Sequence, residues 1–231
     1  MALTDPRTTR TEPVGRPRDP SRLRGADRLG VATGAAFVVC ILAGNSMTES
    51  VVGTDESPVG TAADLAAQAA SGMARVGLAA ELVGLLLLVW FAATVAALGW
   101  RRSGASTFPV LVATAGALVA AVKLGSAAPY LAALTADGLS AEIRHALVET
   151  NGAAFVLTWL PYAVLVGSTA VVLLRAGLVG RVLAGSGLAL AGLGLVAALA
   201  GFTSPATAVP VPFLLSLLWT LAVSLRVAAR R

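Results

Sequence analysis

The chain lacks most of the residues on which active sites are built. Its 231 residues include one cysteine and one histidine, so an intrachain disulfide, a bis-histidine haem site and a His-rich metal site are all excluded. The motifs HExxH, GxSxG, Walker A and the dinucleotide fingerprint do not occur in it. We therefore predict no catalytic residue, no cofactor and no metal ligand.

The single cysteine and the single histidine are both interpreted as residues without a chemical role. Cys40 lies inside the first apolar block, where a small apolar filler is favoured over a reactive thiol. His145 falls in a polar segment between Glu142 and Glu149, which could hold a metal only weakly. We expect His145 to be a solvated loop residue.

Charged residues are also scarce, and the fraction of apolar residues is high. Only 13% of the residues are charged and 57% are hydrophobic, whereas a soluble domain carries roughly 25% charged residues. The apolar residues form six blocks, and about 20 apolar residues cross the hydrocarbon core as a helix. The sequence predicts an all-α, polytopic membrane protein, a six-transmembrane-helix bundle with spans one to six at about 29–47, 76–100, 108–128, 152–174, 179–201 and 206–225.

Residues 1–28 precede the membrane domain, which we place at 29–231. They hold seven arginines and four prolines without an apolar run, a composition typical of a disordered basic tail. No small-residue cleavage site follows the first span, so this span is interpreted as a retained signal anchor.

The distribution of basic residues predicts the topology. With a cytoplasmic N-terminus, fourteen basic residues lie inside and only Arg75 and Arg144 lie outside, as the positive-inside rule requires. We expect a multi-pass protein of the bacterial cytoplasmic membrane with both termini in the cytoplasm. This bias explains the pI near 10.6 without nucleic-acid binding. The lipid bilayer is the expected partner, and a membrane-protein partner or homo-oligomer stays open.

Short external helices are expected in both large loops. Thr61 and Asp64 resemble a capping box before a helix from about Ala62. A second, amphipathic segment begins at Ser140 and is predicted to lie on the membrane surface or to cap the bundle. In span five, Gly187 and Ala191 form a small-xxx-small pair that favours packing within the chain over dimerisation.

Two ionisable residues lie within the spans, Glu81 in span two and Lys123 in span three. Each lies about 8 Å below the outer boundary at a helical rise of ~1.5 Å per residue. Buried charges in membranes normally pair, so we predict an ion pair between them. Further polar residues at helical spacing could extend it into an outward-facing polar cavity, namely Asn45, Tyr130, Asn151, Thr158 and Tyr162.

The pair has two interpretations, a structural one and a ligand or ion pathway. The favoured function is a non-enzymatic integral membrane protein with a structural or partner-binding role. The alternative is a small-solute or ion transporter with an outer-leaflet polar site at Glu81 and Lys123. The inner halves of the spans contain few polar residues, which argues against transport, and an intramembrane enzyme comes third.

Three segments resemble a known membrane-protein family. They are TAADLAAQAASGMARVGLAAELVGLLLLVW at 61–90, the turn RAGLVGRVLAGSGLALAG at 175–192, and a final Trp-containing span that ends in basic residues. Over roughly 27–231 the chain resembles a six-helix bacterial family, actinobacterial in type, that is known only as a domain of unknown function. That family often has Pro before the second Arg of the turn and Trp after it, where this chain has Gly180 and Val182. The resemblance implies the architecture and no catalytic residue.

Overall fold

A computed structural model describes residues 23–48, 57–103, 106–203 and 210–230. Within these ranges the chain forms seven α-helices and no strand: α1 (Gly25–Thr48), α2 (Pro58–Ser71), α3 (Met73–Ser103), α4 (Thr107–Thr135), α5 (Ala141–Arg175), α6 (Arg181–Thr203) and α7 (Val211–Ala228). All except α2 are long and apolar enough to cross a membrane. The predicted all-α polytopic bundle of six spans is therefore confirmed.

The first helix begins earlier than predicted. α1 starts at Gly25, so residues 25–28 belong to the bundle and not to the tail, while residues 1–22 lie outside the described ranges. Tertiary contacts hold this first turn: Arg28 Nε donates to the carbonyl of Ala228 at 2.8 Å, and Asp27 pairs with Arg101 at 2.6 Å. Hydropathy could not locate this start because the extra turn is polar.

The short helix α2 also begins earlier than the expected position at Ala62. Ser57 caps it, since its Oγ accepts from the amide of Gly60 at 3.1 Å, and Pro58 supplies a first-turn proline. The capping box expected at Thr61 is wrong, because the Thr61 hydroxyl contacts another helix instead. α2 ends at Ser71, and the residue that caps it, Gly72, has a left-handed φ of 71°.

The segment from Ser140 is not a separate surface helix, as the sequence had suggested. It is the first part of α5, a single helix of 35 residues that continues through Pro161. At ~1.5 Å per residue this helix is about 52 Å long. Likewise α4 runs past residue 128 to Thr135, and α7 begins at Val211, with 206–209 of the predicted span outside the described residues.

The packing of the bundle depends on small residues at close approaches. α1 lies against α3, α4 against both α3 and α5, α6 against α5, and α7 against α1 and α6. At Gly187 of α6, a Cβ would lie 2.5 Å from the Trp219 ring and 3.0 Å from the Ala170 side chain. This position therefore packs within the chain, as its small-xxx-small pattern predicted.

The alternating helices give the bundle two ends of different character. We call one the α2 end, where α2 packs against α3, α4 and α5. We call the other the basic end, which carries eight of the described arginines: Arg24, Arg28, Arg101, Arg102, Arg175, Arg181, Arg226 and Arg230.

Candidate polar site at the α2 end

Glu81 and Lys123 meet between two antiparallel helices near the α2 end. α3 carries Glu81 and α4 carries Lys123, and Lys123 Nζ lies 3.1 Å from Glu81 Oε2. Their side chains are only 11% and 12% exposed, respectively. The structure thus places the two predicted partners in direct contact, with little water around either charge.

The second carboxylate oxygen of Glu81 faces α1. The Thr48 hydroxyl lies 3.5 Å from Glu81 Oε1 and also contacts the carbonyls of its own last turn. α1 can approach this closely because Gly44 has no side chain: a Cβ there would lie 2.6 Å from Glu81 Cγ and 2.8 Å from the carbonyl of Gly77. The charged pair therefore lies at a contact among three helices.

Tyr130 joins α4 to both α1 and α2. Its hydroxyl is 3.1 Å from the carbonyl of Thr48 and 2.6 Å from the Gln68 side-chain oxygen. A phenol has one proton and cannot donate to two acceptors. Since the two ends of an amide are interchangeable in assignment, the consistent network has the Gln68 NH₂ donating to Tyr130, which donates to Thr48.

An aromatic ring covers the other side of the lysine. Lys123 Nζ lies 5.0 Å from the ring centroid of Phe155 on α5, within cation–π range. Phe155 in turn contacts Trp159 and Phe213 edge-on, at 5.8 Å and 5.4 Å between centroids. The charge of Lys123 is thus shared between one carboxylate and the face of one ring.

Five of the seven predicted polar residues meet around one small cavity. The predicted residues that line it, Asn45, Glu81, Lys123, Tyr130 and Asn151, are joined by Thr48, Leu78, Ser126 and Ala127. The cavity offers about 20 Å³ to the centres of water-sized molecules, and one ordered water needs roughly 10–15 Å³ by this measure. It has room for one or two ordered waters beside the charged pair.

Thr158 and Tyr162 do not belong to this cavity, so that part of the prediction is wrong. Thr158 donates to the carbonyl of Ala154 at 2.9 Å, and the Tyr162 hydroxyl contacts Thr220 of α7 at 2.9 Å. Both residues share a helix face with Asn151, but they lie about 10 and 16 Å further along the axis. The spacing correctly predicted that the three residues share one face of α5, but it did not take into account their different positions along the helix axis.

Sequence reasoning missed three members of the cluster, Thr48, Gln68 and Phe155. Each carried a usable signal, since residues three or four apart share a helix face. Thr48 follows Asn45 by three residues, and Phe155 follows Asn151 by four. Gln68 continues the buried face of α2 that Leu65 and Thr61 define.

His145 is not the solvated loop residue that we expected. It lies on α5, is partly buried, and its Nδ1 is 2.9 Å from the Thr61 hydroxyl of α2. Its neighbour Arg144 binds the carbonyls of Ala133 and Ala136 and so satisfies the last turn of α4. Across the described ranges, no three His, Cys, Asp or Glu side chains are grouped as metal ligands.

No protein-family model, curated protein or solved structure matches this chain. The resemblance to the six-helix family therefore stays a prediction.

Proposed function

We propose that this chain is a non-enzymatic integral membrane protein that acts structurally or by binding membrane partners. The observation that carries the proposal is the internal pairing at the α2 end. Glu81, Lys123 and Tyr130 each contact groups on other helices. Polar groups that satisfy one another hold a bundle together and leave little capacity for a solute.

The layer beside the pair supports the same proposal. One turn further toward the basic end, Leu85 on α3 and Val119 on α4 are each 3% exposed, and Ile41 on α1 is 2% exposed. An ion that entered at the α2 end would meet this apolar layer, where an unpaired charge is costly. The geometry favours a structural role for the Glu81–Lys123 pair, which we call the clasp because it connects α3 to α4, over a conducting path.

Transport of a small ion is the second candidate, and one observation favours it. The side-chain amides of Asn45 and Asn151 line the cavity without a hydrogen-bond partner among the described residues. They could bind a water or ion that enters from the α2 end.

Flux measurements separate the two candidates. The purified chain is reconstituted into liposomes, and proton, Na⁺ and K⁺ flux is compared among wild type, Glu81→Gln and empty vesicles. The clasp predicts flux equal to empty vesicles in all samples. Flux that wild type supports and Glu81→Gln abolishes would establish transport instead.

We also propose that the basic end faces the cytoplasm of a bacterial cell, with both termini inside. The eight arginines at this end accompany one described acid, Asp27, whereas the α2 end carries Asp64, Asp137, Glu142 and Glu149. In a Cys40→Ser background, a membrane-impermeant maleimide should label Asp64→Cys on intact spheroplasts and Arg226→Cys only after permeabilisation. The reverse pattern would invert the topology.

A further inference from the structure

The arginines of the basic end form a chain of contacts around the bundle. Arg101 pairs with Asp27 and joins α3 to α1, and Arg28 binds the carbonyl of Ala228 and joins α1 to α7. Arg230 binds the carbonyl of Gly177 at 2.7 Å, and Arg175 lies 4.9 Å from the ring of Phe108. Four guanidinium groups thus connect the helix ends around the perimeter.

The other four arginines of this end have no such role. The guanidinium groups of Arg24, Arg102, Arg181 and Arg226 have no hydrogen-bond, ion-pair or ring partner among the described residues. Three are exposed and Arg102 is partly buried. The acid of the basic end within those ranges, Asp27, is already neutralised by Arg101. Within the described ranges, four guanidinium groups at these helix ends therefore carry positive charge that no acid pairs with.

We infer that this basic perimeter binds the phosphate groups of anionic phospholipid headgroups. The helix ends of a membrane bundle lie at headgroup level, and a guanidinium presents paired donors that match phosphate oxygens. Trp100, adjacent to Arg101, is 51% exposed and places an aromatic ring typical of the interface beside the charges. The inference does not depend on the proposed function, and only the choice of leaflet depends on the proposed topology.

Lipid selectivity of the full-length, detergent-purified chain tests this inference. The melting temperature is followed while phosphatidylglycerol or phosphatidylcholine is titrated into the micelles, which gives a half-saturating concentration for each lipid. Each basic residue near an anionic surface contributes about fivefold in affinity. We expect wild type to favour phosphatidylglycerol by at least about fivefold, and the preference to shrink in roughly 1 M salt.

Variants separate lipid recognition from general stability. Arg102→Gln, Arg181→Gln and Arg226→Gln together should remove most of the preference. The melting temperature without lipid should stay near that of wild type, because these side chains have no partner in the described part of the chain. Arg75→Gln is the matched control, since it removes an exposed arginine at the α2 end, and it should keep the preference.

Three results would overturn the inference. They are a triple variant that keeps the full preference for phosphatidylglycerol, an equal loss in Arg75→Gln, and equal stabilisation by inorganic phosphate at the same phosphate concentration. The last result would indicate a site for free phosphate. If the triple variant melts early without lipid, the corresponding lysine variants keep the charge, and they should retain more of the preference than the Gln variants.

Discussion

Removal of one charge from the Glu81–Lys123 pair should destabilise the protein more than removal of both. The two side chains are 11% and 12% exposed, so a charge left alone has little water to solvate it. Breaking a buried pair by removing one partner costs about 3–5 kcal/mol. Because some exposure remains, we expect about 3 kcal/mol for Glu81→Gln and for Lys123→Met, near the lower end of that range.

The double variant should recover most of this loss. Gln at position 81 can keep the contact with Thr48, and Met at position 123 can pack on Phe155. Replacing both members of a buried pair by groups of similar volume is often close to neutral. We expect the double variant to lie within about 1–2 kcal/mol of wild type.

The assay is the free energy of unfolding, measured by SDS titration of the purified chain in mixed micelles. Asp64→Asn is the control, because it removes an exposed charge on α2 and should change stability by less than about 0.5 kcal/mol. Independent sites add within about 0.5 kcal/mol. If the losses of the single variants add up in the double, or if both singles are as stable as wild type, the clasp is refuted and a solvent-connected role gains support.

Three further predictions concern the contacts around the pair. Gly44→Ala would press a methyl group against Glu81 and Gly77 and should cost about 1–3 kcal/mol of unfolding free energy. Gly125→Ala, where nothing lies within 4 Å, is its control, and equal effects would contradict the close approach. Tyr130→Phe removes the hydroxyl between Thr48 and Gln68 and should cost about 1–3 kcal/mol; unchanged stability would mean that this bridge contributes nothing. Thr61→Val disconnects α2 from His145, at about 0.5–1.5 kcal/mol. Amide exchange should therefore accelerate in α2 while the six long helices keep their rates, and unchanged exchange in α2 would argue against this attachment.

The spans and the position of the charged pair could be predicted because both depend on local properties. Blocks of apolar residues fix where the chain can cross a membrane. The helical rise then fixes the depth of Glu81 and Lys123 on two consecutive antiparallel helices. No knowledge of tertiary contacts is needed for either step.

The contacts made by α2 and the first turns of α5 could not be predicted in the same way. A span predicted from hydropathy ends where polar residues begin. The backbone of α5, however, is already helical at Ala141, within a polar segment. The Thr61 hydroxyl binds His145, 84 residues away, and not a neighbour in its own first turn. Such a choice between a local cap and a distant partner depends on the assembled bundle.

The length of α5 has a consequence for how other molecules meet this protein. At about 52 Å, α5 is longer than a hydrocarbon core of ~30 Å by several helical turns. Its first turns lie at the α2 end and pack against α2. The first turns of α5, packed against α2, therefore extend beyond the hydrocarbon core on this side of the bundle. An antibody or a soluble partner that approaches from this side would contact α2 and the first turns of α5 before the bilayer. An epitope tag placed near Ala141 should therefore be accessible to an antibody.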